Sequence, residues 1–258
     1  HGDCMLGIRD QDDFGRERPD ARDLAEYAIG IERSLAAVQD RLRACVEDVA
    51  LDGSPNPAPA ILDFPRFCTE VLGWEEADLA GASGAAPPPE LSVALREYEE
   101  VLEPTFAVAD PEPPAGASKW QLLVRVEPTG SELDKPPGAG GRGWDASPTA
   151  RLERLLRETK VPAGLLSNGT HLRLVYAPAL ETSGHMTFPV SAMVEVSGRP
   201  ILGGLHMLLH AERMFSLPTK QRLPSLLSES RRFQAEVSTR LAEQILEALY
   251  ELVRGVQA

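Results

Sequence analysis

Residues 150–178 read ARLERLLRETKVPAGLLSNGTHLRLVYAP, a helix, a break and a hairpin in one stretch. Leu152, Leu155 and Leu156 recur at i, i+3 and i+4 on one face, with Arg151, Arg154 and Arg157 flanking them. Val161-Pro162 stops the helix, because proline disfavours helical backbone in the residue before it. Gly164-Leu165-Leu166 and Leu172–Tyr176 then read as two short strands. Between them lies Ser167-Asn168-Gly169-Thr170, and an Asn-Gly pair signals a hairpin because both residues tolerate positive φ. A helix running into a tight polar hairpin sets recognition residues on a rigid frame.

Working outward, the stretch is one unit of a longer alternation. Apolar residues from Leu24 through Val49 recur every three or four positions and predict a long amphipathic helix over Leu24–Leu51, broken by Gly53–Pro59. Asp63 is placed to cap a short helix through Phe67 and Leu72, ending at Gly73-Trp74. Leu91–Tyr98 and Phe106–Val108 are expected strands, and Trp120–Glu127 (WQLLVRVE) is the clearest strand of the chain. Thr129–Trp144 is a Gly/Pro loop, long enough to be mobile or functional. Beyond the hairpin come a strand at Met186–Val190 and a helix near Ile201–His210. A final long helix, Ser225–Val256, follows the turn at Pro218–Pro224. Helices, strands and helices in this order predict an α/β fold, a small mixed β-sheet flanked by helices, with long helices at both ends. Residues 1–20, polar and acidic, are expected to lack order.

Composition excludes some classes. A net charge of −13 argues against general binding of polyanions, so any nucleic-acid role needs a local basic patch. Cys4, Cys45 and Cys68 form neither a disulfide framework nor a zinc spacing, which points to a reducing, cytoplasmic compartment. No apolar run reaches the roughly 18 residues of a membrane span, so no membrane partner is expected. A start at His1 without methionine, and an end at Ala258 directly after a helical pattern, predict a piece of a longer polypeptide.

The candidate sites follow from side-chain chemistry. Gly138, Gly140 and Gly143 satisfy G-x-G-x-x-G, but a dinucleotide loop needs its first glycine at a strand end, and Pro136-Pro137 intervenes. Glu70, Asp110 and Glu127 are the carboxylates available to a divalent metal, with Glu112 beside them. Nuclease chemistry also wants a lysine near the acidic pair, and Arg125-Val126-Glu127 supplies none, so these read as solvated charges and no metal site is expected. His206 and His210 stand at a zinc-compatible i, i+4 spacing, but Met207 replaces the catalytic glutamate and no third ligand is evident. The locally cationic set Arg151, Arg154, Arg157, Lys160, His171 and Arg173, with Asn168 and Thr170, is the best candidate for contacting phosphates and base edges. The competing reading is a solvated helix face offset by Glu153 and Glu158.

The same residues carry a family resemblance. RLERLLRETKVPAGLLSNGTHLRLVYAP, ETSGHMTFPV (181–190) and GRPILGGLHMLL (198–209) resemble the N-terminal region of type IIG restriction-modification polypeptides. These are bacterial adenine-specific DNA methyltransferases, with relatives in phage defence. FPRFCTEVLGWEEADL (64–79) resembles the opening helix of that region, and EPTFAVADP (103–111) with WQLLVRVEP (120–128) its paired strands. The resemblance runs from about Ile61 onward and leaves the helix at 21–56 as an insertion. It implies a restriction-endonuclease-like, PD-(D/E)xK module over 57–215, followed by a helical linker over 216–258 towards a methyltransferase domain. The metal-binding aspartate of such a module follows a proline; here the proline position is Pro104 and the aspartate position Thr105. The E-x-K positions fall on Arg125, Val126 and Glu127.

The resemblance therefore implies a degenerate, non-catalytic module that positions DNA or partner domains. No cofactor is expected in these residues; S-adenosylmethionine belongs to the downstream domain, and other defence subunits are further expected partners. Two alternatives remain: a protein–protein scaffold that does not meet nucleic acid, and a magnesium-dependent endonuclease using Glu70, Asp110 and Glu127 in a displaced arrangement.

Overall fold

The structure is a computed structural model that describes residues 34–84, 86–113, 116–137 and 144–233. The chain starts with a helix over residues 34–45 (α1), followed by strands β1 (Val46–Val49) and β2 (Ala58–Ile61). Helix α2 (Phe64–Glu70) and short strand β3 (Leu79–Ala80) follow, then the hairpin β4 (Val93–Leu95) and β5 (Glu100–Leu102). Next come β6 (Phe106–Ala109), β7 (Trp120–Val126), helix α3 (Pro148–Thr159), β8 (Ala163–Ser167), β9 (His171–Tyr176) and β10 (Gly184–Pro189). Helices α4 (Val190–Val194), α5 (Arg199–Leu209) and residues 223–233 (α6) complete it.

A six-stranded sheet in the order β10-β9-β8-β7-β6-β3 is the centre of the molecule. Its neighbours are antiparallel except β7 and β8, which are parallel and joined by the crossover helix α3. The sheet is mixed and flanked by helices, as expected. Burial of both faces explains why its central strands are nearly continuous in apolar residues rather than alternating. Leu122, Val124, Leu165 and Leu174 point to one face, which packs on Val38 and Leu42 of α1, Phe67 of α2 and Leu205 of α5. Leu123, Leu166 and Val175 point to the other, against Leu152, Leu155 and Leu156 of α3 and Leu95 and Leu102 of the small hairpin. Gly164 has no side chain because α3 lies directly over it: a Cβ there would stand 3.1 Å from methyls of Leu152 and Leu156.

Local signals hold where the chemistry of a cap is unambiguous. Asp63 accepts the Arg66 N–H at 2.9 Å at the start of α2, and Ser147 caps α3 ahead of Pro148. Departures occur where tertiary pairing takes over. The first long helix stops at Cys45, and Val46–Val49, which continues the helical spacing, pairs instead with Ala58–Ile61. Residues 24–33 of that expected helix lie outside the described residues. So do Gly138–Gly143, and the final helix beyond residue 233. The expected strand Leu91–Tyr98 is a short 3-10 turn followed by β4, and β5 returns through Glu99 at φ +52. No glycine or asparagine announces that turn.

The α1 helix is not peripheral. Val38, Leu42 and Cys45 belong to the main core, and Gln39 donates to the carbonyls of Met193 at 2.9 Å and Glu195 at 2.6 Å. No helix among the described residues is long and apolar enough to cross a membrane.

Candidate functional site

The parallel strands β7 and β8 end together, and the hairpin tip between β8 and β9 lies beside the segment that leaves β7. Ser167 O accepts the Glu127 N–H at 2.7 Å, and Asn168 O accepts that of Gly130 at 2.9 Å. Gly169 O takes the Ile61 N–H at the end of β2. Asn168, only 3% exposed, spends its side chain on the same task. Its Nδ2 donates to Ser131 O at 2.6 Å, while Oδ1 accepts from His171 N at 2.8 Å and Thr170 Oγ1 at 3.1 Å. Gly169 has φ +78, and a Cβ there would come within 3.2 Å of Thr129. The turn anticipated as a recognition tip is thus a buried staple joining three segments.

Arg173 has a similar fate. It is 7% exposed and makes a two-pronged contact with Asp134, donating also to Thr149 Oγ1 at 2.8 Å and Thr187 Oγ1 at 2.9 Å. The guanidinium holds the Asp134 carboxyl below its ordinary pKa. It ties residues 131–134, α3 and β10 to β9, so the described part of the Gly/Pro loop is a strap. Arg151 is turned inward as well, donating to Glu100 and to the carbonyls of Ala146 and Trp144. His171 is half-buried, and burial, followed by the neighbouring Arg173 charge, lowers its pKa. Arg154 and Arg157 remain on the outer side of α3, with Glu158 at 3.0 Å and Glu153 at 3.9 Å. The expected cationic set is therefore not one surface: Arg151, Asn168, Thr170 and Arg173 are committed to the fold, and Arg154, Arg157 and Lys160 stay accessible.

Thr105, Arg125 and Glu127, singled out by the resemblance, lie close together where β6 begins and β7 ends. Thr105, just before β6, accepts the Val126 N–H on Oγ1 at 2.9 Å and donates its own N–H to Val124 O at 2.7 Å. Arg125 and Glu127, on successive same-side positions at the end of β7, form a largely buried ion pair at 2.6 Å. Of these three side chains one is a guanidinium, and the one acid is already paired with it. These residues do not fit a metal ion. Glu70 is held by Arg66 at 2.9 Å and by the Cys45 thiol at 3.3 Å, and Asp110 by Arg222 at 2.6 Å. Among the described residues no group of three His, Cys, Asp or Glu side chains stands close enough to hold a metal. The His206 and His210 rings lie 4.4 Å apart; burial, then the His210 charge, pushes His206 down to about 4.

Sequence reading missed Arg222. It is 4% exposed and reaches across from the turn before α6 to Asp110 and, at 3.2 Å, to Glu112. A pair 112 positions apart leaves no local signal.

The family model described as "MmeI, N-terminal domain" matches residues 34–255. The chain belongs to this family. It is an N-terminal module of type IIG restriction-modification enzymes, as the block around the hairpin suggested. The MmeI N-terminal domain match begins at the first described residue of α1. No curated protein and no solved structure shows a significant match to the chain.

Proposed function

We propose that this MmeI-type N-terminal domain is a non-catalytic nuclease-like module that positions DNA or partner domains for a DNA-modifying enzyme. The observation that carries the reading is the closure of the metal positions: Thr105 is bonded to the β7 backbone, and Arg125 is locked to Glu127. A nuclease needs an open, acid-lined site that polarises water through a metal, and an internal ion pair supplies neither function. S-adenosylmethionine chemistry, in this reading, belongs to a methyltransferase domain outside these residues, in a cytoplasmic phage-defence or restriction system.

Accessible Arg154 and Arg157 are the DNA-facing residues of this reading, by direct contact with phosphates. The expected result is no cleavage of plasmid DNA by the purified chain with magnesium or manganese. Metal-dependent cleavage that disappears in Glu127→Ala overturns the non-catalytic assignment. Duplex binding that weakens with salt, and weakens further in Arg154→Ala with Arg157→Ala, supports DNA positioning. The glutamate partners on α3 and the net charge of −13 favour the second reading, a protein–protein scaffold. Absence of duplex binding at low salt selects it.

A further inference from the structure

The sheet has a second edge, opposite the hairpin tip, where β7 and β8 begin. A cleft of about 660 Å³ opens there between the end of α3, residues 116–118, residues 177–179 and the turn into α6. Arg157, Lys160 and Arg222 line it against a single carboxylate, Asp110, which Arg222 neutralises at 2.6 Å. A more open pocket shares Pro162, Pro224 and Ser225 with it and adds Lys220 and Arg232, the latter facing Glu229 at 3.6 Å. Lys160 and Lys220 make no ion pair among the described residues, and the Glu153 carboxylate is 3.9 Å from Arg157, beyond hydrogen-bonding range. In a chain of net charge −13, the two adjoining pockets hold two unpaired lysines, while their three arginines face Glu153, Asp110 with Glu112, and Glu229.

The inner part of the cleft is different. Trp120, Leu156, Val161 and Pro162 give it an apolar wall. Gln121 also lines it, at a bulge where β7 slips against β6, and is 2% exposed. Its Nε2 donates to Ala109 O at 2.9 Å and Met214 O at 3.1 Å, which fixes the amide orientation. Its Oε1 is buried with no partner among the described residues. A buried acceptor left unpaired is destabilising, and a ligand N–H or O–H that reaches it relieves the cost.

We propose that this cleft binds a nucleotide. The phosphates meet Lys160 and Arg157 at the rim, with Lys220 in the adjoining pocket, and the base lies against the Trp120–Pro162 wall, over the unpaired Gln121 acceptor. The volume falls in the range of small-molecule and cofactor sites and is far too small for a duplex. Inorganic phosphate would use the rim alone and leave the apolar wall and the Gln121 acceptor unsatisfied.

The test is calorimetric titration of the full 258-residue chain with ATP, with inorganic phosphate and with a short DNA duplex. The same titrations are run on the double variant Lys160→Glu, Lys220→Glu, whose exposed positions leave the core intact. ATP binding at least ~10-fold tighter than inorganic phosphate, and weakened at least ~10-fold in the double variant, is the expected result. Inorganic phosphate binding as tightly as ATP, ATP binding unchanged in the variant, or no binding of ATP each overturns the assignment. Duplex binding lost in the variant without any ATP binding also overturns it and gives these cations to a DNA backbone. The inference shares Arg157 with the DNA-positioning reading, and the two are separated by ATP titration on one side and duplex binding in Arg154→Ala on the other.

Discussion

Arg173→Ala separates a structural arginine from a DNA-binding one. In the folded chain Arg173 bridges β9 to the Thr149 hydroxyl on α3, the Thr187 hydroxyl on β10 and the Asp134 carboxylate in the strap. Each hydroxyl bond is worth about 1 kcal/mol net. The Asp134 pair is discounted to about 1 kcal/mol, because that side chain is 64% exposed and rehydrates once the arginine is gone. Lost packing of the buried stem adds about 1 kcal/mol. The expected destabilisation is therefore about 3–4 kcal/mol, read as a shift of the urea midpoint followed by circular dichroism, with the slope unchanged. Under conditions where the variant is still folded, its duplex affinity should equal that of the parent chain. A stability change below about 0.5 kcal/mol, with duplex binding lost, would refute the reasoning, since that is the signature of a solvated residue contacting phosphate.

Three further outcomes are expected. Gly169→Ala places a side chain at φ +78 against Thr129 and should cost about 1–2 kcal/mol in the same denaturation experiment; a neutral result contradicts the buried-turn geometry. Arg222→Ala strands the Asp110 carboxylate, and the expected loss is about 3 kcal/mol. Adding Asp110→Asn should recover part of it, and strictly additive losses would show that the two residues are not coupled. Burial keeps His206 neutral when folded, while the unfolded chain takes up a proton near its ordinary value of 6.5. Stability from this group is thus complete above that value and is lost as pH falls towards about 4. Partial exposure limits the loss to about 1–2 kcal/mol. His206→Phe should flatten thermal midpoints measured across this window, and an unchanged slope would contradict a buried neutral ring.

Much of the fold was legible because its signals are short-range. Leu152, Leu155 and Leu156 state a helix face, WQLLVRV a strand buried on both sides, Asn168-Gly169 a turn, and Ser147-Pro148 a helix start. The same rules fail at Val46–Val49, whose spacing suits a helix and whose β-branched valines suit a strand equally well. The register with Ala58–Ile61 and the docking of Ile61 on Gly169 decide between them. The hairpin β4–β5 was missed because Glu99 adopts a conformation that its residue type does not advertise.

The candidate site was legible as residue types and not as roles. Sequence alone established that a basic, amide- and hydroxyl-rich cluster lies at a helix–hairpin junction, and the family resemblance drew attention to Thr105, Arg125 and Glu127. The first depends only on identity and spacing, the second on the resemblance. Whether a polar group meets solvent or another segment depends on what the rest of the chain lays over it. Asp134, Ser131 and Ile61, from 37 to 108 positions away from their hairpin partners in the sequence, are what turn Arg173, Asn168 and Gly169 into structural joints. The same long-range folding brings Lys160, at the end of α3, and Arg222, before α6, to one cleft at the far end of the sheet, a juxtaposition that no local pattern contains.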